Sequence, residues 1–404
     1  MKILQINCVY GEGSTGKITR DIHEGLMVRG HESIVIYGRR GKSKEKHVYK
    51  VCSEAYAKAN NLRSRFDGMM YGGCLMSTEA IKRKIKKERP DIVHLQCING
   101  YFCNIFKLLN YLKKTGIPTV LTLHAEFMYT ANCGHAGECN QWMEGCQKCP
   151  KLHQETKSVF FDRTGKSWKK MHQIYKDWNK LSVVCCSNWI YSRASKSGEI
   201  KNRNMCVINN GIDNKTLFYP RKDAKERVKM EYCIDPNKKI ILFVAPEFSH
   251  LKGFDLLLKL AEVCEDTSFQ FVVVGDDWKV DCSNLTVVGR VSDQIYLAEL
   301  YSAADALVIC SRNENYPTVC VEATSCGTPV VGFDVGGVKE TIPQGMGDVV
   351  PLGDVHTLKE RLIEVTDKEL DDDTVYTARR YHSKERMIDE YVDLYKLLLD
   401  ERLV

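Results

Sequence analysis

The chain reads as an α/β protein of two doubly wound parallel-sheet domains, and three observations point there. Short runs rich in Val and Ile recur along all 404 residues. They are near-continuously apolar, as strands buried on both faces of a parallel sheet are. Amphipathic stretches of helical length separate them, and a polar stretch at 219–239 divides the pattern into two series. Alternating β and α over a chain too long for one core implies two such domains.

In the first series the predicted strands are Lys2–Val9, Ser33–Tyr37, Asp91–Leu95, Thr119–Leu123, Leu181–Cys186 and Met205–Ile208. The second has Ile240–Ala245, Phe269–Val274, Leu285–Val288, Ala306–Cys310 and Pro329–Phe333. Between them lie helices such as Phe254–Cys264, with Leu256, Leu257, Leu260 and Ala261 at helical spacing. We therefore expect domains at 1–218 and 219–384, with a closing helix over 385–404. Ligands in such sheets sit at the carboxyl ends of strands, so the loops after strands matter most.

Composition narrows the function classes. With 44% hydrophobic and 27% charged residues the chain is ordinary globular protein. No apolar run approaches the roughly 20 residues that span a bilayer, and the first residues run straight into a strand, so neither a span nor a signal peptide is expected. Eighteen cysteines in that setting predict thiols in a reducing cytoplasm. Charge is divided: residues 1–218 carry 36 Lys+Arg against 18 Asp+Glu, and the remainder 22 against 34. A basic half predicts an anionic partner, and no nucleic-acid-binding motif accompanies it. An anionic membrane surface is the better match, with the protein peripheral at the inner face of the plasma membrane. The densest basic run, Lys82 to Lys87, reads by itself as a solvated helix face.

The first strand leads into Gly11-Glu12-Gly13-Ser14-Thr15-Gly16-Lys17, which satisfies G-x-x-x-x-G-K. The Mg²⁺-ligating Ser/Thr that should follow is replaced by Ile18, so a P-loop NTPase using residues 11–17 is the alternative reading rather than the main one. Gly13 and Gly16 still allow backbone N–H groups to face a phosphate. The strand Thr119–Leu123 ends in His124, a candidate to position or polarise a substrate group, with His94 a weaker competitor. Within the insert 125–155, Cys133, Cys139, Cys146 and Cys149 match the ligand count of a structural zinc site, and His135 or His153 could replace one thiol. A long irregular insert otherwise lacks a core, which favours that zinc over a metal-free thiol loop.

The second series holds the most informative segment, Glu314-Asn315-Tyr316-Pro317-Thr318-Val319-Cys320-Val321-Glu322. Pro317 suits the first position of a helix. The N–H groups of Thr318, Val319 and Cys320 would then face outward as an anion site for a diphosphate, with a carboxylate on either side. Lys252, before the helix-opening Gly253, would add a full positive charge. Asn209 to Asp213 reads as a turn, between the domains or at a binding edge.

Taken in order, His124, Ser187, Asn210-Gly211-Ile212-Asp213, Lys252-Gly253, Glu314-x7-Glu322 and Gly327-Thr328-Pro329-Val330-Val331 resemble the retaining glycosyltransferases of family 4. The likeness covers almost the whole chain, and the Cys-rich insert is similar to a bacterial subgroup of exopolysaccharide and colanic-acid-type assembly. The resemblance implies the GT-B fold, two Rossmann-like domains facing across a cleft, with the last helix, Glu385–Leu403, returning to the N-terminal domain. It implies transfer of a sugar from a UDP- or GDP-sugar to a glycan or polyprenyl-diphosphate-glycan acceptor, without a catalytic metal. Lys252 would neutralise the donor diphosphate, and Glu322 would hold the ribose. Glu314 with Asn315, Tyr316, Pro317, Thr318 and Val319 would hold sugar and diphosphate, and His124 would contact the sugar. One departure stands out: the family's arginine before the lysine is absent, its places taken by Pro246 and Glu247, which leaves His250 or Arg290 as substitutes. A non-enzymatic sugar-binding protein of the same architecture is the remaining rival.

Overall fold

A computed structural model describes residues 1–278 and 282–400. It divides into two compact units, residues 1–209 with 387–404 and residues 210–386. The boundary therefore falls before Asn210, so 210–218 goes with the second unit rather than the first.

The first unit is built on seven strands: β1 (Lys2–Asn7), β2 (Glu32–Tyr37), β3 (Val48–Lys50), β4 (Ile92–Leu95), β5 (Thr119–Leu123), β6 (Leu181–Cys185) and β7 (Asn204–Val207). Their order is β3-β2-β1-β4-β5-β6-β7, and every pairing is parallel. The second unit has six: β8 (Lys239–Val244), β9 (Phe269–Val274), β10 (Leu285–Gly289), β11 (Ala306–Ile309), β12 (Val330–Phe333) and β13 (Gly347–Val350). Their order is β10-β9-β8-β11-β12-β13, again all parallel. Each sheet reverses direction of growth beside its first strand, between β1 and β4 and between β8 and β11. That is the switch point where loops diverge and open a crevice.

Each run read as a strand forms one, with ends moved by one or two residues. Two strands escaped the sequence reading, β3 and β13, which lie at sheet edges. β3 has three residues and β13 is Gly-Asp-Val-Val, too short to show a period. The helix Lys384–Leu399 buries Met387, Ile388, Tyr391, Val392 and Tyr395 in the core of the first unit with Ile3, Ile22 and Val120. Residues 401–403 of the expected closing helix lie outside the described residues. The Asn210–Asp213 turn has a structural role within the second unit. Ile212 bridges Ser383, its N–H donates to His382 O (2.9 Å), and a Cβ on Gly211 would sit 2.4 Å from Ser383 O. The chain's entry to the unit and its exit are thereby clasped together.

Candidate active site

In the second unit the loops after β8 and β11 meet at the switch point. Gly253 adopts φ +71°, and a Cβ there would lie 1.8 Å from Cys310 O at the end of β11. Only glycine permits that approach and that conformation. Gly253 caps the helix Phe254–Val263 and so brings Lys252 against the loop after β11. Lys252 Nζ donates to Glu314 Oε1 at 2.6 Å, across 62 positions of sequence. The far wall of Glu314 is backbone: Gly337 N–H donates to Glu314 O (3.0 Å), and a Cβ on Gly336 would lie 1.7 Å from that oxygen.

The helix expected after Glu314 runs Thr318–Ser325 with Pro317 at its N-cap, one place earlier than the first helical position. Among the described residues no side chain caps this start. Thr318 and Val319 are partly exposed there, while the Cys320 N–H is drawn into a turn with Pro317 O (3.2 Å). The anion-facing set is therefore two N–H groups, not three, because the first turn tightens on itself. Asn315 and Tyr316 are buried, and Asn313 Oδ1 is buried with no hydrogen-bond partner among the described residues. Glu322 is buried one turn further on, and its Oε2 accepts from Tyr301 O–H at 2.9 Å. Burial, reinforced by that carboxylate, holds the Tyr301 hydroxyl well above its usual pKa, so it stays a donor.

Neither substitute for the missing arginine is simply waiting for a phosphate. Arg290 reaches the Pro246 carbonyl (3.2 Å) and pairs with Asp276. His250 is exposed and lies 3.5 Å from Asp255. A cation not singled out from the sequence, Arg312, grips Asp255 through two bonds of 2.7 Å and also donates to His250 O (2.6 Å). It braces the Lys252 loop from the end of β11. Its signal was only its place directly after a strand.

In the first unit, His124 follows β5 and its Nε2–H donates to Gln96 Oε1 (2.7 Å), just past β4. Gln96 reaches Gln5 (3.3 Å) and His94 Nδ1 (3.4 Å). His94 in turn meets Tyr395 O–H (2.6 Å) and Thr122 Oγ1 (2.8 Å), and Thr122 meets Tyr391 O–H (2.9 Å). Burial pushes His94 down to about 3 and His124 down to about 4, so both rings are neutral at pH 7. His94 is thereby a buried link between the sheet and the last helix, which removes it as a rival for substrate. The Gly11–Lys17 loop opens the helix Gly13–Val28. Gly13 has φ +63° with nothing within 4 Å of a Cβ, while Gly16 is packed against Val9 and the Gly11 backbone. Gly13 can therefore border a ligand, and Gly16 serves packing. Thr19 is buried and bonds back to Thr15 O (2.7 Å), so it offers no hydroxyl to a metal.

The cysteine insert departs from expectation. All eighteen cysteines are free thiols. Among the described residues no three His, Cys, Asp or Glu side chains form a group that could hold a metal ion. Burial raises the thiol pKa of Cys133 and Cys146, with smaller contributions from the neighbouring cysteines. The four thiols are not gathered into a ligand set among the described residues. His153 is instead bonded to Ser158 O (2.8 Å). The insert has the core its sequence did not advertise. Trp142 and Tyr129 are fully buried, and the Glu126 carboxylate binds Arg193 (2.7 Å), Tyr129 O–H (2.5 Å) and the Ala136 N–H (2.6 Å).

A family profile described as Glycosyltransferase Family 4 matches residues 15–216, and one described as Glycosyl transferases group 1 matches residues 224–381. The putative colanic acid biosynthesis glycosyl transferase WcaC of Escherichia coli K12 is 24% identical over 98% of this chain and 100% of its own. Among solved structures, the sucrose-phosphate synthase of Thermosynechococcus elongatus superposes with a TM-score of 0.69 at 18% identity, covering 98% of this chain and 99% of its own. Anabaena Alr3699/HepE, solved in complex with UDP-glucose, superposes with a TM-score of 0.65 at 15% identity, covering 98% and 99%.

Proposed function

Because the chain belongs to glycosyltransferase family 4, we propose that it moves a sugar from a nucleoside-diphosphate donor to a growing glycan, retaining configuration at the anomeric carbon. The observation that carries this reading is the Lys252–Glu314 pair beside the uncapped start of the Thr318 helix. It sets one cation, two backbone donors and one carboxylate at a single switch point, which is what a sugar diphosphate asks for.

In the transfer, the bond from the anomeric carbon to the diphosphate oxygen breaks. A bond to the acceptor oxygen forms on the same face, and the acceptor's proton passes to the departing phosphate. Charge grows on the leaving diphosphate, where Lys252 and the Thr318 and Val319 N–H groups stabilise it. In this reading the transfer is metal-independent, with those groups carrying the charge of the leaving diphosphate. Donor binding draws Lys252 onto phosphate and frees Glu314 to accept from sugar hydroxyls. Glu322 accepts from the ribose, its orientation set by Tyr301. In the first unit His124 is neutral and serves a sugar hydroxyl as a hydrogen-bonding partner, not as a cation. The colanic-acid relative supports a bacterial polysaccharide as product; a polyprenyl-diphosphate glycan at an anionic membrane surface is the acceptor this reading adds, on the basic charge of residues 1–218.

Thermal shift with UDP-, GDP- and ADP-sugars tests the donor site. One of them is expected to stabilise the protein and to be hydrolysed slowly, and Lys252→Ala to remove the stabilisation while leaving the unliganded Tm in place. If no nucleoside-diphosphate sugar stabilises the chain, or if Lys252→Ala responds like wild type, the assignment fails.

A further inference from the structure

We infer that the first unit seats on an anionic lipid surface through an apolar patch formed by Leu62, Phe66, Val159, Phe160 and Phe161 inside a basic rim. This deepens the membrane part of the proposed function and rests on it, supplying the contact that net charge alone left unplaced.

Leu62 and Phe66 lie one turn apart on the helix Glu54–Asp67 and are 55% and 50% exposed. Helical spacing puts Lys58 and Arg65 along one side of that stripe and Arg63 along the other. Beside its end runs the segment 158–162, where Val159, Phe160 and Phe161 are 52%, 67% and 52% exposed. The rings continue from one element to the other: Phe66 to Phe160 is 6.1 Å between centroids, and Phe160 to Phe161 6.4 Å. The segment is pinned in that posture. Val159 N–H donates to Arg65 O (2.7 Å), Ser158 O–H donates to Phe161 O (2.8 Å), and Gly68 leaves room for the Phe161 carbonyl. Three adjacent apolar side chains held outward on a fastened segment form a patch of the kind that marks an interaction surface.

Charge names the occupant. Arg163 stacks 5.4 Å over the Phe161 ring, and Lys58, Arg65 and Lys157 are exposed around the patch. Of the nearby carboxylates, Asp67 is paired with Arg63 (3.1 Å), while Asp162, held by Thr164 and the Cys149 N–H, sets one negative charge against those four cations. Apolar tips ringed by cations suit the boundary of acyl chains and anionic headgroups, where each signal alone binds weakly. The Lys82–Lys87 run is a poorer candidate. Lys82 and Lys84 are paired with Glu79 and Glu88, and Lys84 also covers Tyr49. The groove lined by Lys107, Lys113, Lys114 and Lys170 is basic, but its Phe106 and Ile174 are buried.

The test is sedimentation of the full chain with vesicles of phosphatidylglycerol and phosphatidylcholine or of phosphatidylcholine alone, at low and high salt. Wild type is expected to pellet with the anionic vesicles only and less at high salt. The double variant Phe160→Ser/Phe161→Ser should lose about tenfold in binding, as loss of one of two anchoring signals predicts. Its Tm and its transfer to a soluble acceptor should not change. Phe160→Trp should shift its emission to the blue on anionic vesicles. Undiminished binding by the double variant, or no emission shift, overturns the patch while the membrane reading survives. Absence of wild-type binding overturns both but leaves the donor site untouched. Self-association that the double variant abolishes, with no vesicle binding, gives the patch to a second copy and overturns the lipid.

Discussion

At the switch point of the first unit the strand ends carry neutral groups, whereas at the switch point of the second they carry ion pairs. Gln96, His94 and His124 form a chain of uncharged hydrogen bonds that ends on Tyr395. Lys252–Glu314 and Arg312–Asp255 pair opposite charges on loops of the same topological position. One strand order thus frames two chemistries. A neutral network holds a ring in one orientation, and loses its geometry when protonated. Partly exposed ion pairs stabilise the fold little and can exchange partners for a diphosphate.

Removing the second unit's carboxylate should have the largest effect. Glu314→Ala is expected to cut transfer by about 10² to 10³-fold, the scale of one lost electrostatic contact to a reacting group. Its Tm should stay near wild type, and kinetics at saturating donor would show the loss in kcat. A Tm collapse with kcat per folded molecule preserved would make the residue structural and the contrast false.

Acid should separate the units next. Burial lowers His23 and His172 to about 4 and His94 to about 3 in the first unit, against His382, about 3, in the second. A lowered folded pKa means that the unfolded chain takes up protons first. Stability is full above about 6.5 and is lost as pH falls from there toward the folded values. Between about pH 6.5 and 4.5 each group contributes at most roughly 3 kcal/mol, at about 1.4 kcal/mol per unit. Hydrogen exchange read by peptide between pH 7 and 4.5 should find protection falling earlier in the first unit. Equal loss in both would remove the distinction.

Two smaller substitutions sharpen it. Gly253→Ala forces a side chain into a left-handed position against Cys310 O, expected to cost more than about 1 kcal/mol and to raise donor KM. Tyr395→Phe removes one partner of His94 and should cost about 1 kcal/mol in urea unfolding with no change in donor KM. A donor-KM effect for Tyr395→Phe would mean that the neutral network also serves the donor.

Much of this was legible beforehand. Both sheets, eleven of the thirteen strands and the Glu314–Glu322 loop and helix follow from short-range signals: apolar runs, turn residues, a proline before a helix. The core of the cysteine insert was not legible, for a physical reason. Four thiols advertise ligands, but the groups that hold the insert, Glu126, Arg193, Tyr129 and Trp142, come from separate segments and carry no spacing pattern. Lys252 was singled out, but its ion pair with Glu314 was not. The helix start that Pro317 announced also lost one N–H to its own turn.

By itself the sequence determined what its local periodicities encode: two doubly wound sheets, the placement of glycines and a proline at loop ends, and the uneven charge. Tertiary structure alone decided partners. Lys252 meets Glu314 across 62 positions, His124 meets Gln96 across 28, and His94 meets Tyr395 across 301. Sheet order brings such groups together, and strand propensity does not record which strands become neighbours. The same holds for the Phe66–Phe160 patch: no spacing pattern marks these phenylalanines, and only packing showed that the core left them outside.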